Sequence, residues 1–243
     1  MTVIDELMVL LDDRTARTLD ECSFVLPTRT RQTLSSTLGR LVAKGWIAME
    51  RDRLRRINTY AVTEAGTTAI TRTLQHLKIA DNSEWNHRWM FIFFNIPETQ
   101  RKFRDVLRNR LANIGFGRIQ NSVWASARDI RFEFEDLLEL ETIRDSITII
   151  EPTLSDIDEQ AVLKAFDWDW DSLDKEYISF IAEAEAFIAD KQHDGFKAKL
   201  LVYSYAKLLS QDPKLPSHLE PKNYHRKIAH ECYKKVQPFC YEQ

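Results

Sequence analysis

Residues 89–94 read Trp-Met-Phe-Ile-Phe-Phe, a nearly continuous apolar run that Asn95 and Pro97 close. No apolar run in the chain approaches the ~18 residues of a membrane span, and this one predicts a β-strand. Pro97 then marks a helix start, and Phe103, Leu107, Leu111 and Ile114 recur at helical spacing, which predicts a helix over 98–113. Gly115 and Gly117 punctuate two short strands around 116–119 and 122–125. A second helix over 129–141 and a last strand over 146–150 complete the order βαββαβ, the ferredoxin-like split unit. The exposed face of the first helix carries Arg101, Lys102, Arg104, Arg108 and Arg110. That face reads equally as a second surface for nucleic acid or an acidic partner and as a solvated helix face.

Residues 1–80 have a different grammar. Val3, Leu7, Leu10 and Leu11 line one stripe of a helix over 3–12, and a short second helix covers 18–25 before the break at Pro27. In the next stretch, PTRTRQTLSSTLGRLVAKGWI, Leu34, Leu38, Leu41 and Val42 fall on one buried helical face. Thr28 or Thr30 caps its start, and Gly45 ends it in the left-handed conformation. The opposite face shows Arg31, Gln32, Ser35, Ser36 and Arg40, with no carboxylate. Arg and Gln pair bidentately with purine edges, and hydroxyls suit bases or phosphates, so this is the chemistry of a base-reading helix. Residues 46–50 and 57–62 pair as a hairpin around a charged tip, Arg51-Asp52-Arg53-Leu54-Arg55-Arg56. Three helices and a basic hairpin in that order predict a winged helix-turn-helix. Residues 67–80 follow as a connecting helix.

The formal net charge of −3 conceals this pattern. Residues 29–56 carry eight basic and two acidic side chains, as do residues 88–128, whereas residues 129–190 carry four basic and nineteen acidic ones. A DNA-binding module needs only a local basic face, because charges are screened beyond about 8 Å at physiological salt. Three cysteines without a CxxC pair indicate neither a disulfide framework nor a cysteine zinc site, and fit a reducing cytoplasm. The start, MTVIDELMVLLDD, has acids where a signal peptide carries positive charge.

The last segment is mainly helical, over 174–189, 196–210 and within 221–238. AFDWDWDSLD reads as a solvated acidic loop that tucks Trp168 and Trp170 inward, in preference to a cation site. QDPKLPSHLEP, with Pro213, Pro216 and Pro221, reads as a rigid turn. The six histidines show no HxxxH or HExxH spacing, and no phosphate loop or nucleophile elbow appears. The expectation is a non-enzyme without catalytic residues, metal or cofactor.

Two resemblances follow from these motifs. FFNIPE and the GFG turn resemble the small CRISPR-associated ferredoxin-like endonucleases, whose metal-binding Asp at the end of the first strand is replaced here by Asn95. RQTLSSTLGRLVAKGWI with YAVTEAG, FFNIPETQRKFRDVLRNRLANIGFGRIQNSVWAS, and YAKLLSQDPKLPSHLEPKNYHRKIAHECYKKV together resemble the PaaX family of bacterial repressors. That resemblance implies a homodimer on an inverted-repeat operator in double-stranded DNA, released by an aromatic acyl-CoA.

The resulting expectation is an α+β protein. It has a winged helix-turn-helix over 1–80, a ferredoxin-like βαββαβ domain over 84–151 and a mainly helical domain over 152–243. Its DNA-binding residues are Thr30, Arg31, Gln32, Ser35, Ser36, Arg40, Lys44, Arg51, Arg53, Arg55 and Arg56. The competing readings are a metal-dependent nuclease built on the middle domain, and an adaptor whose acidic block docks protein.

Overall fold

The computed structural model describes residues 1–52, 56–81 and 85–241. The chain is mixed helix and sheet, with two antiparallel sheets, and it divides into two compact units. The first comprises residues 1–75, 180–206 and 231–243; the second comprises 76–179 and 207–230.

In the first unit, helices α1 (Val3–Leu11), α2 (Leu19–Val25) and α3 (Arg31–Ala43) precede a hairpin of β2 (Ile47–Asp52) and β3 (Ile57–Val62). A two-residue strand, β1 (Arg17–Thr18), adds to the free edge of β3, giving the order β1-β3-β2. Each helix start is chemically specified. Thr2 and Asp5 form a reciprocal capping box on α1, Thr18 and Glu21 form one on α2, and the Thr30 hydroxyl accepts from the Thr33 amide at 3.2 Å. Gly45, at φ 75°, lets the chain reverse so that its amide reaches the Val42 carbonyl at 2.9 Å. Leu34, Leu38 and Leu41 then pack with Leu7, Met8, Leu11, Cys22, Ile47 and Tyr60 in one core.

The start of α4 (Glu64–Asp81) is pinned to the end of α3. The Thr63 hydroxyl donates to the Gly45 carbonyl at 2.6 Å, and its amide to the Trp46 carbonyl at 3.0 Å. A Cβ on Gly66 would stand 2.1 Å from that same Trp46 oxygen, which is why glycine closes the Thr63–Gly66 exit.

The second unit holds β4 (Met90–Phe94), α5 (Arg101–Asn113), β5 (Gly117–Gln120), β6 (Val123–Ser126), the short helices α6 (Glu135–Leu138) and α7 (Glu141–Arg144), and β7 (Ile147–Ile150). Strand order is β5-β6-β4-β7. The first and third strands of the βαββαβ order therefore lie side by side at the centre, as the split unit requires. Met90, Ile92 and Phe94 alternate onto the face covered by Leu107 and Leu111 of α5. The helix expected over 129–141 is instead a 3-10 turn, α6 and α7. Phe134 is fully buried, and its non-helical backbone, at φ −138° and ψ 17°, interrupts the helix.

Helix α8 (Asp156–Ala165) precedes the stretch read as an acidic loop, and the next helix begins within that stretch at Trp170; Ser155 caps α8 by accepting from the Asp158 amide at 3.3 Å. It brings Val162, Leu163 and Phe166 against Trp89 and Ala125 on the other side of the sheet. The Phe166 ring lies on Gly117, where a Cβ would come within 2.2 Å of it. Trp168 and Trp170 tuck inward while Asp167, Asp169 and Asp171 face solvent, as the alternation suggested. Helices α9 (Trp170–Ala189), α10 (Gly195–Gln211) and α11 (Arg226–Val236) each contribute residues to both units, as does α4. Among the described residues no helix is long and apolar enough to cross a membrane.

Candidate nucleic-acid interface

Burying Leu34, Leu38 and Leu41 turns the opposite side of α3 outward. Arg31, Gln32, Ser35, Ser36, Gly39 and Arg40 are all exposed there, and Lys44 is exposed one residue past the helix. These positions recur at helical spacing, so they form one continuous face. Gly39 sits in its middle with no atom within 4 Å of a would-be Cβ, leaving the backbone open to close approach. Thr30, at the N-terminal edge, is the cap of α3, and its hydroxyl lies 2.8 Å from that of Thr33. The Ser36 hydroxyl donates to the Thr33 carbonyl at 3.0 Å, and Arg40 folds back to donate to the Thr37 hydroxyl at 2.9 Å. Lys44 places its ammonium 3.3 Å from the centre of the Trp46 ring.

Two ion pairs join the start of the helix to its neighbours. Arg29 donates through Nε and Nη2 to the Glu6 carboxylate at 2.9 and 2.8 Å, tying the loop before α3 to α1. Arg31 forms an ion pair with Asp20 in the first turn of α2. Arg51 and Arg56 are exposed at the hairpin, with Arg51 opposite Asn58 in the ladder. Arg53 and Arg55 lie outside the described residues.

The arginines of α5 are also engaged within the chain. Arg104 is paired with Glu98 at 2.7 Å, and Arg101 with Glu98 and Asp105 at 3.9 and 3.5 Å. Arg108 donates to the Asn121 carbonyl at 2.9 Å, and Arg110 to the Glu133 carbonyl and to Asp136. Asn95 is exposed just beyond β4, its amide donating to the Ser146 carbonyl at 2.9 Å.

Sequence reasoning missed a buried polar centre in the second unit. The stretch read as a rigid turn is buried from Asp212 to Pro216. The Asp212 carboxylate accepts from the hydroxyls of Tyr177 and Tyr224, both at 2.7 Å, and from Arg226 at 2.9 Å. Burial pushes the Asp212 carboxyl up, but Arg226, Tyr177, Lys214 and Tyr224 together hold it below the usual carboxylate range. Lys214, at φ 53°, donates from Nζ to the Asp212 carbonyl at 2.8 Å, and burial drives its ammonium down to about 8. Asn223 takes the left-handed conformation at φ 65°, and His225 closes onto Asp174 at 2.9 Å. The Asn223-Tyr224-His225 stretch thus supplies both a turn and a ligand to the buried acid. An Asp-Pro-Lys run between two apolar helices was the available signal, and proline hid it by suggesting a surface turn.

Fold and site together define an α+β protein with a polar, solvent-facing helix in one unit and a ferredoxin-like sheet in the other. Residues 82–163 match the PaaX protein central Cas2-like domain, and residues 168–242 match the PaaX-like protein C-terminal domain. These matches take in well over half the chain, and the chain belongs to the PaaX family. No curated protein matches it. Among solved structures, the uncharacterized protein Rv0674 from Mycobacterium tuberculosis is similar over 86% of this chain and 81% of its own. The TM-score is 0.53 and the identity 16%, a likeness of fold.

Proposed function

We propose that this chain is a DNA-binding transcriptional regulator, a repressor of the PaaX type, and not an enzyme. Residues 1–80 form its winged helix-turn-helix, followed by the Cas2-like domain and the helical C-terminal domain. The observation that carries the reading is the outward face of α3, where Arg31, Gln32, Ser35, Ser36 and Arg40 stand exposed without a carboxylate among them. In a winged helix-turn-helix that helix enters the major groove with its N-terminal residues at base edges. Arg31, Gln32, Ser35 and Ser36 then read bases, with Thr30 at the helix start beside them. Arg40 and Lys44 contact phosphate, and Arg51, Arg53, Arg55 and Arg56 of the wing lie along the backbone. One such helix covers a half-site, so the working form is a homodimer on an inverted repeat in the cytoplasm. Family membership supports release by a small effector such as an aromatic acyl-CoA.

The neutral amide Asn95 just beyond β4, where a metal-dependent nuclease of this fold needs a carboxylate, favours this reading over a nuclease built on the second unit. A mobility-shift experiment with Arg31→Ala plus Gln32→Ala tests it: operator binding is expected to fall by about 1–3 kcal/mol per lost base contact. Unchanged binding removes α3 from the interface.

A further inference from the structure

Asp20 is the acid paired with Arg31 at the reading end of α3. It belongs to the first turn of α2, and its carboxylate pairs with the Arg31 guanidinium across eleven residues of sequence. The contact is exposed on both sides, with 59% of the Arg31 side chain and 74% of the Asp20 side chain accessible. Such a pair adds little to folding. Asp20 is also not needed to start its helix. Thr18 and Glu21 make the complete capping box, the Thr18 hydroxyl accepting from the Glu21 amide at 3.2 Å and donating to the Glu21 carboxylate at 2.9 Å.

We propose that Asp20 gates Arg31 in DNA recognition, competing with the duplex for its guanidinium until a base edge displaces it. The inference rests on α3 being the reading helix. On random DNA, Arg31 must leave Asp20 to reach a phosphate, exchanging one solvated oxyanion for another with little gain. At a matching guanine it gains two hydrogen bonds in fixed geometry. The pair is given up in full at a matching guanine, and on random DNA only as far as the phosphate repays it, so it subtracts more from specific than from non-specific binding. The carboxylate also stands at the end of α3 that approaches the duplex, where its repulsion from phosphate acts on both modes alike.

The test is a double-mutant cycle with the full-length protein. Asp20→Asn and Arg31→Ala, singly and together, are titrated against a random-sequence duplex pool and against the duplexes that the unaltered chain enriches from it. Urea unfolding verifies that Asp20→Asn leaves stability within the range of surface changes. Asp20→Asn is expected to tighten binding to the enriched duplexes by about two- to fivefold. Binding to the random pool changes less, so the specificity ratio rises, and in the Arg31→Ala background the ratio no longer responds to position 20. An equal change on both DNAs, no change, or the same effect with and without Arg31 overturns the gate while leaving α3 as the reader. A chain that binds no duplex at all overturns the DNA reading and the gate with it.

Discussion

Arg226 donates to Asp212 at 2.9 Å in the interior of the second unit, with only 1% of the Asp212 side chain accessible. The two residues lie on either side of the LEP turn, and Arg226 also pairs with Glu220 and donates to the Leu215 carbonyl. Burial by itself favours the neutral forms of both. The opposed charges reverse that, raising the Arg226 guanidinium and lowering the Asp212 carboxyl. Replacing Arg226 with Leu leaves Asp212 buried beside two tyrosines with no cation on that oxygen. The expected loss is about 3–5 kcal/mol in urea unfolding, because an uncompensated buried charge costs more than the pair contributes.

His76 makes folding acid-sensitive. Its ring is fully buried, with Nε2 against the Glu133 carboxylate and Nδ1 without a partner among the described residues. A neutral ring protonated at Nε2 fits that site, whereas an imidazolium would bury an unpaired N–H. Burial and the charge of Lys214 outweigh Glu133 and lower His76 to about 4. Between that value and the ordinary 6.5 the unfolded chain binds the proton and the folded chain does not, so stability falls as pH falls through this window. The loss is expected to approach roughly 3 kcal/mol by pH 4. His76→Gln, which keeps a donor for Glu133, is expected to flatten that part of the stability–pH curve. Parallel curves for the two proteins would exclude His76 as the source.

Gly115 allows the second unit to close on its buried loop. It sits at φ 85°, and a Cβ there would lie 2.4 Å from the Asp212 carbonyl oxygen. Gly115→Ala therefore combines left-handed strain with a clash against backbone, and about 2 kcal/mol or more of destabilisation is expected. Gly39→Ala makes the opposite prediction. Its added methyl group meets nothing, and helix α3 should gain about 0.5–1 kcal/mol. Thermal unfolding of the two variants beside the unaltered chain separates the cases by sign.

Parts of this molecule were readable because local and tertiary demands agree. Leu34, Leu38 and Leu41 are spaced for a helix and are buried as one, and Gly45 stops the chain where its φ says it must. The apolar alternation of β4 points Met90, Ile92 and Phe94 to the same core. Other parts were hidden because their chemistry is decided at a distance. Arg17 and Thr18 become a strand only because Tyr60 and Thr59 stand opposite. The acids of α8 masked a helix whose apolar stripe is narrow. Phe134 breaks a good helical pattern to reach the core. On the candidate interface, exposure of the Arg31 face was legible from periodicity, whereas its pairing with Asp20 depends on how α2 packs against α3.

The measurement that bears most directly on the central claim is selection from a random duplex library by the purified full-length protein. The account predicts an enriched inverted repeat whose half-sites are spaced by about one helical turn or a multiple of it. Guanine and adenine contacts should be lost at specific positions on Arg31→Ala and Gln32→Ala. Recovery of no motif, or of a motif indifferent to both substitutions, contradicts it.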